Sequence, residues 1–421
     1  MNIKIAFDFH DIFVNAHDAW IKAFSELSNN KQIVTDYENK ISKKDICLKY
    51  NLDYEEAEEL YRSYLTKIDK NIEFAKRLSE FYDIDLISLS RKSRLMKDID
   101  KFGLKDIFTS IYAKEDITTK DEFLKDLSEK YDWIVFFNHE NNRIIELGNI
   151  IYMPIDFQGN LDEFKNKSFT EHAKNKLLYN ELSKYYMQAI VNDTNQETDF
   201  VKKVYRDNIS ITPGTILDCC CGVGRHDYLL ANSDYKVTGI DISQNQIDTA
   251  NKNNKTENVN YQVMDVRDIN LPFKDYDMSI CMWTTYNYLS LDKDFLKFIK
   301  SNYNHQKEGG ILILDAKNIP RLEKRRVYKR NDSYKNKMEL ELIVNKFVIN
   351  NIQNSQYFYF INENGNKKFY MDEEFVRFYN LDEIKELTKD YYEVINVYGD
   401  FDFSDYDVKN SNRFIVVLRR K

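Results

Sequence analysis

The sequence predicts an α/β protein made of two doubly wound domains, the second carrying an antiparallel β insertion. Three observations point there. Two series of short apolar runs alternate with helically spaced segments, a polar stretch with Gly159 and Asn160 separates them, and one glycine cluster follows a strand in a chain with only 11 glycines and 4 prolines. At 421 residues the chain exceeds one compact core and suits about two or three domains. Its 30 tyrosines, 27 phenylalanines and 3 tryptophans supply apolar area that excludes a disordered chain.

Ile3 to Phe9 is an apolar run broken by Asp8 and reads as the first strand. Ala19, Phe24 and Leu27 follow at helical spacing, then Ala57, Leu60, Tyr61, Tyr64 and Leu65 within Tyr54 to Ile68, so a helical insertion covers about residues 15–75. Asp85 to Ser90 and Trp133 to Phe137 are strand-length runs, each after a helical pattern. The β-α-β-α-β order predicts a parallel sheet with crossover helices. The domain boundary is expected near residue 160, giving domains 1–160 and 161–421, with an amphipathic helix from Glu171 to Tyr186.

The second series comprises Thr215 to Cys220, Lys236 to Ile240, Tyr261 to Met264, Tyr276 to Met282 and Ile311 to Asp315. About residues 322–378 the runs become long, aromatic and β-branched, with an Asn364, Gly365, Asn366 turn, and predict an antiparallel insertion. A helix at Leu381 to Leu387 and strands at Tyr392 to Tyr398 and Arg413 to Leu418 close the domain.

A net charge of −8 removes any global positive field that would draw the chain to nucleic acid or anionic lipid. Lys324, Arg325, Arg326, Lys329 and Arg330 form the dense basic run. No window approaches about 18 uninterrupted apolar residues, and the first residues lack a small-residue cleavage site. Five cysteines, three of them consecutive, suit a reducing compartment and argue against a disulfide framework or a zinc site. The expectation is a cytoplasmic protein with a small-molecule partner, no membrane and no nucleic acid; a homo-oligomer is compatible with it.

The most informative segment runs from Ile216 to His226: a strand, a turn on Gly222 and Gly224, then a helix. A Cβ at either glycine would occupy the space a ligand needs to approach the backbone. The third glycine position of a dinucleotide fingerprint is Asp227, whose carboxylate argues against NAD. LDCCCGVGRH at 217–226 resembles the first motif of class I S-adenosylmethionine-dependent methyltransferases, commonly L-D-x-G-C-G-x-G, and residues from about 175 to 421 fit that family's layout. The resemblance implies that Asp218, Gly222 and Gly224 line the methionine end of the cofactor, with Cys220 in place of the customary first glycine.

Asp241 ends the next strand, 23 residues after Asp218, where a carboxylate can accept both ribose hydroxyls. Met264 to Arg267 resembles the adenine-binding segment, with Asp265 accepting from the exocyclic amine; Ile242 and Val266 adjoin these acids in the expected cofactor set. Trp283 to Tyr288 follows the fourth strand and is expected to face the reacting methyl. An amine acceptor needs little beyond loss of a proton, whereas a hydroxyl calls for a base, for which His226, Tyr286 and Tyr288 are the candidates by position. His226 also reads as a helix-facing polar residue, and His305 as a surface residue. The insertion is similar to that of the small-molecule branch of the family, which includes N-methyltransferases of amino sugars and other small amines.

Residues 1 to 155 resemble the haloacid dehalogenase superfamily of phosphotransferases with a helical cap. The carriers are Asp8 after the first strand, against a usual D-x-D-G, Ser88 ending the second strand, and Lys120. The resemblance implies an Asp8 nucleophile, phosphate held by Ser88 and Lys120, and Mg2+ bound by Asp8 and the segment after the WIVFF strand. The departures are His10 for the acid/base Asp, Asp11 for Gly, and Asn138, His139, Glu140, Asn141 and Asn142 in the metal segment; of these His139 is the ligand candidate and Glu140 offers a replacement contact. His10 can still serve as an acid near neutral pH.

Together these give a methyltransferase acting on an amine or hydroxyl of a small metabolite, with a degenerate N-terminal domain. Two alternatives stand beside it: a bifunctional phosphatase and methyltransferase acting on one phosphorylated or nucleotide-linked substrate, and an N-terminal domain that only binds or oligomerises.

Overall fold

The computed structural model describes residues 2–139, 145–155, 176–182, 194–318, 326–334, 338–349 and 351–421. The chain divides into two units, Met1–Gly159 and Asn160–Lys421.

In the first unit the strands buried at every position form the centre of a sheet, because parallel strands are covered on both faces, and the charged Lys4 and Asp85 among them pair at 2.8 Å. β1 (Ile3–Phe7) lies between β2 (Ile84–Ile87) and β4 (Trp133–Asn138), parallel to both. β3 (Ser110–Tyr112), β5 (Ile145–Leu147) and β6 (Ile150–Pro154) complete the order β3-β2-β1-β4-β6-β5, with β5 antiparallel. These last strands are absent from the expectation: β3 and β5 are three residues long, and Gly148 and Asn149 turn the chain between β5 and β6.

Helices Ala16–Leu27, Gln32–Glu38, Lys43–Lys49, Tyr54–Tyr64 and Asp69–Leu78 fill the interval between β1 and β2. Ser42 and Asp53 cap two of them by accepting the N–H of Asp45 and Glu56. The helix expected to reach Ile68 stops at Tyr64, because Asn15 Oδ1 takes the Thr66 N–H at 2.6 Å and Leu65 is extended. Trp20 and Tyr61 stack at 4.5 Å and join the first and fourth of these helices.

The second unit holds a seven-stranded sheet in the order β16-β17-β11-β10-β7-β8-β9. Its strands are β7 (Thr215–Cys219), β8 (Lys236–Asp241), β9 (Val259–Val263), β10 (Tyr276–Cys281), β11 (Gln306–Lys317), β16 (Tyr392–Tyr398) and β17 (Arg413–Arg420). β17 runs antiparallel to both neighbours and the others are parallel. The period of two in the strands sorts the core into two layers. Ile216, Ile311, Ile313, Ile415 and Val417 face one layer with Phe200 and Leu230; Leu217, Leu312, Leu314, Val416 and Leu418 face the other with Phe295 and Phe298.

Between β11 and β16 the chain forms a separate antiparallel sheet: β12 (Arg326–Tyr334), β13 (Met338–Ile349), β14 (Ile352–Glu363) and β15 (Asn366–Arg377). Asn364 and Gly365, both at positive φ, make the two-residue turn that register requires of β14 and β15. Leu340, Leu342, Val344, Tyr357, Tyr359 and Ile361 pack with Leu178 and Leu182 on one of its faces. Of the helix expected at 171–186, the described part, 176–182, holds a single 3-10 turn at Leu177–Tyr179; the rest lies outside the described residues.

His305 corrects a second expectation. It is buried, its Nδ1 lies 2.8 Å from the Ser301 carbonyl, and Nε2 accepts the Leu271 N–H, so it ties a helix end to a loop instead of facing water. Among the described residues no helix is long and apolar enough to cross a membrane.

Asp315 on β11 and Arg413 on β17 form a buried, two-pronged pair, with Nε to Oδ1 at 2.8 Å and Nη2 to Oδ2. The same carboxylate accepts the Trp283 N–H at 2.8 Å, and the Asp315 carbonyl accepts the Thr284 N–H at 2.8 Å. Trp283 and Thr284 both have positive φ, +64° and +66°, so these bonds hold a strained turn in place. Arg413→Ala leaves a carboxylate of 0% exposure unpaired and is expected to cost about 3–5 kcal/mol. Chemical denaturation followed by circular dichroism measures it, and a loss below about 1 kcal/mol would contradict this role.

Candidate functional site

The strand order of the second unit reverses between β7 and β10, and open α/β sheets bind ligands at such a point beyond the carboxyl ends of the strands. A cavity lies there. The β7 end contributes Cys220 and Gly222, the β8 end Asp241, Ile242 and Ser243, the β9 end Met264, Asp265 and Val266, and the β10 end Cys281, Thr285, Tyr286 and Tyr288.

Asp241 organises this rim. Its Oδ2 accepts the Gly222 N–H and its Oδ1 the Ser243 N–H, each at 2.9 Å, so one carboxylate joins the glycine turn to the start of helix Gln244–Asn253. Burial pushes its pKa up to about 6, against the pull of those N–H groups. Asp265 also lines the cavity; its carboxylate caps the Arg267 N–H at 2.9 Å and meets the Arg267 guanidinium at 2.6 Å.

The two glycines differ in what they serve. Gly222 has φ +56° and a Cβ there would lie 3.6 Å from Gln246 Oε1, so the backbone is left open beside the cavity. At Gly224 a Cβ would lie 2.2 Å from the Tyr261 hydroxyl, so this glycine admits a packed tyrosine and not a ligand, contrary to the expectation. Cys220 sits at φ +71°, which explains why glycine is the easier residue at this position.

Several expected residues stand outside the cavity lining. Asp218 is buried behind the glycine turn, and Asp227 is packed against Gly239, whose Cβ would meet its Oδ2 at 2.4 Å. Burial and the neighbouring Asp218 push the Asp227 carboxyl well up, which disfavours its charged form in the core. The Trp283 ring lies between the Arg225 and Arg413 guanidiniums, at 4.9 and 5.0 Å, and does not face the cavity. His226 is buried with Nε2 2.6 Å from Glu197 Oε2, which also takes Arg225 Nη1 at 2.7 Å; this pairing withdraws it from the role of base.

Tyr286 and Tyr288 do line the cavity, yet burial pushes both phenols well above their ordinary range, with Asp315 acting on the first and Glu374 on the second. Each remains a neutral phenol and a poor base at neutral pH. Tyr288 instead donates to Glu374 Oε2 at 2.5 Å, while Tyr357 donates to Oε1 at 3.0 Å and the Lys176 ammonium pairs with Oε2. Tyr179, also on the cavity wall, has its hydroxyl 3.2 Å from that of Tyr288. Sequence reasoning missed Glu374, Lys176, Tyr179 and Tyr357. They converge from three separate segments, and no spacing signals them.

The first unit has its own cavity, of about 890 Å³, lined by Asp8, His10, Asp11, Ser88, Lys120 and His139 with Trp20, Tyr54, Tyr61 and Arg62 from the helical insertion and Arg94 from the helix after β2. Lys120 Nζ lies 2.5 Å from Asp8 Oδ2, and Asp8 Oδ1 accepts the Phe9 N–H. Burial raises the Asp8 carboxyl despite the lysine. Burial also lowers His10 to about 3, so its imidazole is neutral and cannot supply the acid the sequence suggested. His139 stands 3.8 Å from both Asp8 and Asp11. Among the described residues Asp8 and Asp11 supply carboxylate oxygens here, and the further ligand candidate, His139, offers an imidazole where Mg2+ prefers oxygen. Glu140, Asn141 and Asn142 lie outside the described residues, as do the side chains of Lys324, Arg325, Arg326, Lys329 and Arg330.

Comparison with known proteins bears on the second cavity. Residues 216–310 match the family described as methyltransferase domain. YqeM of Bacillus subtilis (strain 168), named as a methyltransferase, is 31% identical over 104 residues, which is 24% of this chain and 42% of the relative. The glycine/sarcosine N-methyltransferase of Parasynechococcus marenigrum (strain WH8102) is 30% identical over 111 residues, 26% of this chain and 39% of the relative. The chain thus spans about two fifths of the length of these curated relatives. In fold the second unit is similar to an S-adenosylmethionine-dependent methyltransferase from Clostridium acetobutylicum ATCC 824, with 19% identity, a TM-score of 0.50, and coverage of 57% of this chain and 98% of that one. The sugar N-methyltransferase KedS8 from Streptoalloteichus sp ATCC 53650 gives 14%, 0.50, 57% and 93%.

The two glycines make a paired prediction. Gly222→Ala meets positive φ alone and is expected to cost about 1–2 kcal/mol, whereas Gly224→Ala adds the collision with Tyr261 and is expected to cost more. Urea unfolding of both variants compares them, and the reverse ranking would contradict the packing assigned to Gly224.

Proposed function

We propose that the second unit transfers a methyl group from S-adenosylmethionine to an amine or hydroxyl of a small molecule. The observation that carries this is the cavity at the β7/β10 switch point, where Asp241 holds the glycine turn and still faces the ligand space. The residues present fit the cofactor. Gly222 leaves the backbone open, and Gln246 Oε1 and the Tyr286 hydroxyl, both on the wall, are buried without hydrogen-bond partners among the described residues.

When bound, the cofactor supplies an electrophilic methyl on a sulfonium. The chain's contribution is mainly orientation. Asp241 would accept the ribose hydroxyls, Asp265 and Val266 would take the adenine, and Thr285 to Tyr288 would face the acceptor. None of the three expected bases is suited to take a proton: His226 is held by Glu197, and both tyrosines are kept as phenols. This favours an amine acceptor, which needs no enzymic base once neutral. A relative whose name gives glycine and sarcosine as what it methylates on nitrogen supports a small amine.

For the first unit, the approach of Asp8, Ser88 and Lys120 within one cavity supports the haloacid-dehalogenase-like reading as a phosphate-binding site without hydrolysis. A neutral His10 and an imidazole, His139, in place of an oxygen ligand for Mg2+ both disfavour turnover. The protein is expected to release no phosphate from a simple aryl phosphate, with or without Mg2+. Release that Asp8→Asn abolishes would establish the bifunctional alternative instead.

The pH dependence of cofactor binding tests the main reading. A ribose hydroxyl donates to the ionised Asp241, so protonation at about pH 6 competes with binding. S-adenosylmethionine is expected to bind about tenfold more weakly at pH 5 than at pH 8, and Asp241→Asn to bind weakly with that dependence flattened. Calorimetric titration at the two pH values reads both. Absence of binding by the unaltered protein at pH 8 would refute the reading.

A further inference from the structure

Lys176 is 2% exposed, an unusual depth for a lysine, and its surroundings are those of a ligand-binding cage. Its ammonium pairs with Glu374 and lies 3.4 Å from the Tyr288 hydroxyl. It stands 4.9 Å from the centre of the Tyr179 ring and 4.6 Å from that of Tyr357. A carboxylate flanked by aromatic faces is the arrangement that holds alkylated ammonium groups, by charge at one side and by ring quadrupoles at the others. Two of the cage residues, Tyr179 and Tyr288, also line the methyltransferase cavity, so the cage stands directly behind the wall of the space where an acceptor would stand.

We propose that this cage is the seat for the alkylammonium head of the acceptor and of its N-methylated product, and that Lys176 occupies it as an internal stand-in which the ligand displaces. The proposal rests on the methyl-transfer reading for its biological meaning, but the cage itself is defined by chemistry that can be tested alone. Lys176 is an occupant that can be displaced: a primary ammonium on a flexible four-carbon stem holds its partner as a point charge, without the fork that fixes an arginine. The segment carrying it is anchored independently. Leu177 donates its N–H to Asp372 at 2.9 Å, and the Tyr179 carbonyl accepts from Ser243 Oγ at 2.7 Å, so withdrawal of the lysine head leaves the backbone tethered. Against burial, Lys176 and Lys346 together hold the Glu374 carboxyl well below its usual range, which keeps it charged for an incoming cation. Lys346 lies 5.6 Å from the Tyr357 ring and provides residual positive charge when Lys176 leaves.

The test uses the full chain with Lys176→Ala, titrated with dimethylammonium chloride, with sodium chloride at the same ionic strength and with isopropanol as a neutral isostere. Thermal midpoint and calorimetric binding are read, and S-adenosylmethionine binding is measured in parallel. The expected result is saturable binding of dimethylammonium at least about tenfold tighter in the variant than in the unaltered protein. The thermal midpoint lost on truncation is recovered, and neither control reproduces the effect. In Lys176→Ala combined with Glu374→Gln the response disappears. Should the alanine variant not fold, Lys176→Gln, which keeps a donor for Glu374 and removes the charge, takes its place. Dimethylammonium no more effective than sodium chloride or isopropanol, in a variant that still binds S-adenosylmethionine, would overturn the cage. A response that survives Glu374→Gln would do so as well. Failure of the unaltered protein to bind S-adenosylmethionine would instead remove the methyl-transfer reading and leave the ammonium result to stand by itself.

Discussion

The pair between Asp315 and Arg413 fixes what the rest of the second unit can do. It bridges β11 and β17, the antiparallel junction through which the last two strands join the parallel part of the sheet. The carboxylate and backbone of Asp315 also secure the N–H groups of Trp283 and Thr284, two consecutive residues at positive φ. Such a turn costs on the order of 1–2 kcal/mol per residue and persists only when its surroundings over-determine it. Its consequence is spatial. The chain leaves β10, reverses sharply, and presents Thr285, Tyr286 and Tyr288 to the cavity while sending Trp283 the other way, between two guanidiniums.

How much of this was legible in the sequence follows from the range of the interactions involved. The central strands β1, β2, β4, β7, β8 and β10 announce themselves because a strand covered on both faces is dominated by apolar residues, with few polar interruptions such as Lys4, Asp85 and Ser279. The β14 to β15 turn is equally local, since Asn364 and Gly365 tolerate the positive φ that a two-residue hairpin demands. Short edge strands carry no such signal, as β3 and β5 demonstrate. The helix expected from Glu171 to Tyr186 failed in its described part for the opposite reason: an amphipathic spacing was present, but Lys176, Leu177 and Tyr179 find their partners in distant segments, at Glu374, Asp372 and Ser243.

The site divides along the same line. Asp241 could be read because its position at the end of β8 dictates what it reaches. Asp218, Gly224 and Trp283 belong to the same motifs, yet their side chains or their missing Cβ serve packing, with Tyr261, Asp227 and Arg413 as the reasons. A motif fixes where the backbone goes; which side of it faces a ligand is set by neighbours that the motif does not contain. His226 shows this most directly. It lies in the glycine segment, and a glutamate 29 positions earlier decides that it is a structural partner.

Buried acids in the second unit are each neutralised by different means, and the differences bear on function. Asp227 is pushed toward its neutral form by burial and by Asp218, Asp241 is met by backbone N–H groups, and Asp315 is gripped by a two-pronged guanidinium. None of these partners can leave without unmaking the fold. Glu374 is the contrasting case, because its charge is balanced by a flexible lysine and two phenols contributed from separate elements. A buried ion pair of that kind contributes little net stability compared with apolar packing, since desolvation offsets the attraction. Its placement beside the cavity is therefore better explained by exchange with a cation from outside than by stability of the fold.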